Sequence, residues 1–199
     1  ALEKEAIKNN YNLVYFSDFN DLDPSESINK VDGLVISCFP RLENKIQELK
    51  KLLPVVLIGN SSADKSIPSV IIDNFNGVVD SMDYLRSLGH SRIGFITGLQ
   101  DSDVGKDRLK GYLSALNRYE IAEDTDLIYE GDYSYDSGAK GAEYLLSCSS
   151  PPSAIMCAND TMALGAIKTI REKGLSVPEN ISVVGFDDKG RVTSLEEKP

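Results

Sequence analysis

The chain has no tryptophan, one histidine and only three cysteines in 199 residues. A single histidine leaves no set of imidazoles for a metal site and makes a Ser-His-Asp triad improbable on composition alone. Cys38, Cys148 and Cys157 are odd in number and show no metal-like spacing, which fits reduced thiols in a cytosolic protein. No apolar run reaches the length of a membrane span; the longest, such as Leu52 to Gly59, are strand-sized. The first residues, Ala1 to Ala6, form a charged helical pattern and not a signal peptide. Positive charge is also short. There are 21 Lys and Arg against 31 Asp and Glu, a net charge of -10, which argues against a chain whose main task is to hold phosphate backbones. Gly-x-Ser-x-Gly, a Walker-type phosphate loop and a dinucleotide fingerprint are all missing.

What is present is an alternation of two periods. Strand-like runs fall at 12–16 (NLVYF), 31–38, 55–58, 69–72, 92–97, 126–130, 154–158 and 181–186. Helical spacing falls at 1–10, 41–53, 76–88, 108–119, 135–148 and 160–173, with Pro54, Gly89 and Gly174 as stops. Short apolar strands between amphipathic helices imply an α/β fold with parallel sheets covered on both faces. A break near Ser87–Arg92 divides the chain into two Rossmann-like lobes, 1–88 and 89–188, followed by a tail at 189–199. Such sheets place ligands beyond the carboxyl ends of their strands, and two lobes offer the cleft between them.

The residues just past the strands therefore matter most. They are Gly59-Asn60, a loop leading to Arg108, Gly131-Asp132-Tyr133, Asn159-Asp160 and Asp187-Asp188. Two amides, a guanidinium, an aromatic ring and a carboxylate suit a neutral polyhydroxylated ligand. Each has a plain alternative. Asp160 reads as the better helix cap and Asn159 as an even choice between cap and ligand group. Asp187-Asp188 could form a turn with Gly190, Arg108 a surface ion pair, and His90 a contact at a helix C-terminus.

The segments VDGLVIS (31–37), PVVLIGN (54–60), SVIIDNFNG (69–77), YLRSLGHSRIGFITG (84–98), RLKGYLSAL (108–116), LIYEGDYSYDSG (127–138) and ANDTMALGAIKTIREKGLSVPENISVVGFDD (158–188) resemble, in order, the effector-binding core of the lac repressor (LacI/GalR) family. The resemblance implies a periplasmic-binding-protein-like pair of lobes that binds a sugar or phosphosugar without chemistry and without a cofactor or metal. It implies a homodimer that signals allosterically to helix-turn-helix headpieces on operator DNA. It carries ligand-binding roles to Asn60, Arg108, Tyr133 (as a stacking ring), Asn159 and Asp187, and places Asp73 at the lip of the cleft. Family members often have an Asp where Gly59 stands, so Asn60 alone would supply a side chain there.

The chain departs from the family in three places. Headpiece, hinge and first core strand are not in this sequence; the connection Asp18–Lys30 is short; and FDDKGRVTSLEEKP resembles a segment of sugar-nucleotide pyrophosphorylases. The N-terminal lobe is thus expected to be incomplete and the C-terminal lobe better formed. Two other readings follow from these departures: a free-standing sugar-sensing module, and, on the tail alone, part of a pyrophosphorylase-like enzyme.

Overall fold

The computed structural model describes residues 2–16, 30–37, 43–59 and 61–188. Asn60, Cys38 and the tail from Lys189 onward lie outside the described residues. The chain divides into two compact units, Ala1–Ile72 and Asp73–Pro199.

The first unit contains α1 (Leu2–Lys8), β1 (Leu34–Ser37), α2 (Glu43–Lys50), β2 (Val55–Ile58) and β3 (Ser69–Val70). Its strands run parallel in the order β1-β2-β3, with Leu34 opposite Val55 and Leu57 opposite Ser69. The helical spacing of 42, 46 and 49 turns Ile46 and Leu49 inward, where they are fully buried with Leu34, Ile36, Val55, Leu57 and Ile67. Pro54 has no N–H to continue a helix. Its carbonyl instead accepts from the Leu34 amide at 2.9 Å, which starts the β1–β2 ladder.

Two expectations fail here. β1 alternates buried and exposed, so one face of this strand is open, with Val35 49% exposed. The run 12–16 forms no strand, and Val14 and Tyr15 stand 57% and 76% exposed. β-propensity does not hold a strand without a ladder that satisfies its backbone groups, and this segment pairs with none of the described strands. The apolar residues of α1 likewise find no cover, and none of its residues is buried.

The second unit contains α3 (Asn74–Ser87), β4 (Ile93–Thr97), α4 (Asp103–Arg118), β5 (Ile128–Glu130), α5 (Tyr135–Ser147), β6 (Ala154–Cys157), α6 (Asp160–Glu172) and β7 (Ser182–Val184). Its four strands are all parallel in the order β5-β4-β6-β7. β4 and β6 are buried at every residue, as expected of central strands covered on both faces. Phe95, Ile96, Met156, Leu85, Tyr112, Leu145 and Ile170 belong to one continuous core. The Tyr112 hydroxyl, buried in that core, donates to the Ile93 carbonyl at 2.8 Å.

Helix α3 packs on α4 within this unit: a Cβ on Gly111 would meet the Phe75 carbonyl and the Val78 side chain. The compact unit therefore begins at Asp73, upstream of the lobe boundary expected after residue 88. On the sheet's other side α5 and α6 approach backbone to backbone. A Cβ on Gly138 would overlap the Met162 backbone, and one on Gly165 would overlap the Tyr135 carbonyl.

The helix stops read from glycine are present. After α3, Gly89 has φ +92°, its amide donates to the Arg86 carbonyl and the His90 amide to the Leu85 carbonyl. After α6, Gly174 at φ +79° repeats the pattern with Arg171 and Ile170. This is the Schellman arrangement, which needs a left-handed residue past the cap. Helix α4 closes the same way on Glu120 at φ +55°, with bonds to Asn117 and Leu116. No glycine marks that end in the sequence. The start of α4 also precedes the expected residue 108: Ser102 caps it, accepting from the Gly105 amide at 3.0 Å.

Candidate functional site

All four strands of the second unit point the same way, so their carboxyl ends form one edge. Gly98 follows β4, Gly131-Asp132-Tyr133 follow β5, Ala158-Asn159-Asp160 follow β6, and Gly185-Phe186-Asp187 follow β7. Arg108, on the second turn of α4, reaches this edge.

Arg108 is only 4% exposed. Its Nε donates to Asn74 Oδ1 at 2.9 Å, and its Nη1 donates to the Ala158 carbonyl. Nη2 lies 3.5 Å from Asp187 Oδ1, and the guanidinium carbon sits 3.8 Å from the centre of the Phe186 ring. One side chain thus ties the starts of α3 and α6 to the end of β7. Burial lowers the Arg108 pKa, and the negative charge of Asp187 opposes that shift; a guanidinium stays charged throughout. The surface ion-pair alternative is therefore excluded. Arg108→Ala would remove three polar contacts and a cation–π stack, so it is expected to weaken the fold as well as the site.

Asn159, 6% exposed, is the N-cap of α6. Its Oδ1 accepts from the Met162 amide at 2.8 Å and its Nδ2 donates to the Tyr133 carbonyl at 3.1 Å. Asp160, the residue that the sequence favoured as the cap, is instead the first helical residue, and its amide donates to the Phe186 carbonyl at 2.9 Å. An amide side chain carries two donor hydrogens and two acceptor lone pairs. Asn159 can therefore cap a helix and hold a loop at once, and it retains capacity for a third partner.

Tyr133 is half-buried with φ +68°, a left-handed conformation rare for a bulky residue. Asp132 turns the chain into it by accepting from the Ser134 amide at 2.9 Å. Hydrogen bonds from Ser134 and Ser137 lower the Asp132 pKa to about 2. The Tyr133 ring lies over Gly98, where any Cβ would overlap it. Asp187 and Asp188 have φ +103° and +54°, in a region that aspartate tolerates better than most residues. Their expected turn partner Gly190 lies outside the described residues.

Asp73 behaves as a cap. Its carboxylate accepts from the Asn76 amide at 3.1 Å and from Asn76 Nδ2 at 2.7 Å, and these bonds hold its pKa below the ordinary value. Asn60 cannot be placed, since it lies outside the described residues. His90 bridges the opposite end of the sheet, with Nδ1 2.9 Å from Ser153 Oγ and Nε2 3.0 Å from Ser182 Oγ. It is a tether between strands, beyond the helix-end contact the sequence suggested.

The structure thus gathers Arg108, Tyr133, Asn159 and Asp187 at one edge. It adds Phe186, which sequence reasoning missed although its place immediately before Asp187 was a signal. Asn74, which the family motif set beside Asp73 at the lip of the cleft, proves to be a partner of Arg108 across 34 residues, a link the sequence did not suggest. Cys157 is fully buried, and burial pushes its thiol pKa well up; Cys148 is half-buried, with Sγ 3.3 Å from the Asp126 carbonyl. Among the described residues no group of His, Cys, Asp and Glu is placed to hold a metal ion. No described helix is long and apolar enough to cross a membrane.

The family described as the periplasmic binding protein-like domain matches residues 82–195. The HTH-type transcriptional repressor CytR of Escherichia coli (strain K12) is 37% identical over 161 residues, 80% of this chain and 47% of CytR. This chain therefore spans about half the length of that relative. The crystal structure of a LacI-family regulatory protein from Chloroflexus aggregans matches with a TM-score of 0.86 at 34% identity, covering 97% of this chain and 72% of that one. The transcriptional regulator CelR in complex with cellobiose matches with a TM-score of 0.72 at 35% identity, covering 79% of this chain and 49% of that one. From its α/β architecture, its parallel strand order and these matches, the chain belongs to the LacI family of transcriptional regulators and carries their periplasmic-binding-protein-like effector-binding core.

Proposed function

We propose that this chain senses a sugar or phosphosugar for a transcriptional repressor, binding it without chemical change. Arg108, Asp187, Asn159 and Tyr133 are the ligand groups contributed by the second unit, with Asn60 as a further contributor and Asp73 kept to capping. The observation that carries this reading is the buried Arg108 held beside Asp187 at the carboxyl edge of a parallel sheet. A buried, pre-oriented cation and carboxylate present donors and acceptors at fixed positions, which suits a ligand rich in hydroxyls. The cellobiose complex of CelR supports a sugar as the ligand class.

The remaining roles belong to the whole protein. Operator DNA would be bound through a helix-turn-helix headpiece that is not in this sequence. The core would act in the cytoplasm as a homodimer, and the ligand would alter DNA affinity through differential binding to two states.

The test is a thermal-shift screen of this chain against D-ribose, D-glucose, cellobiose and D-glucose 6-phosphate. A ligand of the folded state at about 100 times its Kd adds about 2.7 kcal/mol and raises the melting temperature with concentration. No response to any of the four would overturn the sugar reading.

A further inference from the structure

Phe186, just past β7, is held at both its backbone and its ring. Its carbonyl accepts from the Asp160 amide at 2.9 Å, which ties it to the start of α6. Its ring is partly buried against the core, and the tip lies so close to α3 that a Cβ on Gly77 would stand 2.8 Å from it. The Arg108 guanidinium carbon sits over the ring, 3.8 Å from its centre. A guanidinium is flat, and its N–H donors lie in its plane. Asn74 Oδ1 and the Ala158 carbonyl accept from Nε and Nη1, and Nη2 lies 3.5 Å from Asp187 Oδ1. Contacts made in the plane resist sliding; tilt is opposed by whatever covers a face, and Phe186 covers one. Only 5% of the Arg108 side chain is open, against 23% for Asp187, so a ligand meets a narrow strip of the guanidinium. The tilt decides which N–H groups that strip presents.

We propose that Phe186 is a positioning residue of the site: its ring holds the Arg108 guanidinium at the tilt in which the ligand meets it, and acts only through Arg108. The inference rests on the sugar-binding reading above, in which Arg108 is a ligand group. A long side chain ordered before the ligand arrives need not be ordered during binding, and affinity gains by that difference. Gly77 belongs to the same arrangement, because the ring tip needs the space that a side chain would fill.

The experiment uses this chain, the sugar of the four-compound screen that gives the largest shift, and two variants. Phe186→Leu keeps an apolar side chain and removes the ring. Gly77→Ala keeps the ring and crowds its tip, while alanine favours the helix around it. Calorimetry is expected to show affinity weakened roughly 3- to 10-fold in both, the effect of ordering one side chain during binding. The nuclear magnetic resonance signal of the Arg108 Nε–H is expected to move in both as the ring leaves the guanidinium face. A lower melting temperature for Phe186→Leu with wild-type affinity would overturn the proposal, since the ring would then serve packing alone. Weaker binding in Phe186→Leu with wild-type binding in Gly77→Ala would also overturn it and make the ring a direct ligand contact. An Nε–H signal unmoved in both variants would break the link to Arg108. If wild type responds to none of the four sugars, the sugar reading fails and this inference falls with it; a responding wild type with unchanged affinity in both variants sinks this inference alone.

Discussion

In the second unit β4 and β6 are buried at every residue, whereas in the first β1 alternates buried and exposed. The second unit brackets its sheet with four described helices of 13 to 16 residues, while the two described helices of the first have seven and eight. The same sequence grammar, apolar strand then amphipathic helix, underlies both. The difference is in what each strand finds beside and above it. A strand completes its burial only when a neighbour takes its backbone groups and a helix covers its face. The run 12–16 has the composition of a strand and forms none, and the exposed Val70, Ile71 and Ile72 leave β3 short.

This contrast can be tested, starting with the largest effect. Arg108→Ala is expected to abolish ligand binding and to destabilise the second unit by roughly 3 kcal/mol, the order seen when one partner of a buried ion pair is removed. Urea denaturation followed by a probe in that unit would measure it; wild-type stability would show that the Arg108 contacts contribute little. Next, Leu145→Ala and Leu49→Ala both delete a fully buried leucine, one from each unit. Such changes cost roughly 2–5 kcal/mol, more where the cavity cannot collapse. Leu145 is expected near the top of that range and Leu49 near the bottom. Hydrogen exchange should show Leu49→Ala loosening the first unit alone, and equal protection of both units in wild type would break the contrast.

Acid should affect both units through named pairs. Lys50 and Ser66 hold the Asp64 carboxyl far below its usual range in the first unit, and Arg92 with the Asp126 amide lowers that of Asp124 in the second. A depressed folded pKa gives stability that is present above the unfolded value of about 4 and lost as pH falls below it. Asp64→Asn and Asp124→Asn should each flatten the acid limb of its own unit's stability profile. Both groups are half-buried and still reached by solvent, so added salt should shrink the effect. The smallest change is Glu120→Gly. It relieves a left-handed non-glycine residue at the end of α4 and should raise stability by about 0.5–1 kcal/mol, visible as a higher denaturation midpoint.

The legibility of the sequence follows the same physics. Helices α5 and α6 and strand β2 begin where the pattern placed them, because spacing, caps and stops agree at those points. The edge that gathers Arg108, Tyr133, Asn159 and Asp187 was legible from strand ends, since a parallel sheet puts them on one side. Competition between neighbours was not legible. The sequence favoured Asp160 over Asn159 as the cap, and only the loop at Tyr133 favours the amide with a donor to spare. Long-range partners such as Asn74 leave no local trace, and a strand with no neighbour looks in sequence like any other strand.

The bare contact between α5 and α6, where Gly138 and Gly165 leave no side chain between the backbones, has a consequence for ligand specificity. Tyr133 lies just before α5 and Asn159 caps α6, so the spacing of the two helices sets the gauge between them. Flexible side chains between helices would let that gauge drift as they changed rotamer; backbone against backbone admits almost no play. In the proposed site, new ligands would then be accommodated by exchanging residues along the edge, while the dimension across it stays fixed.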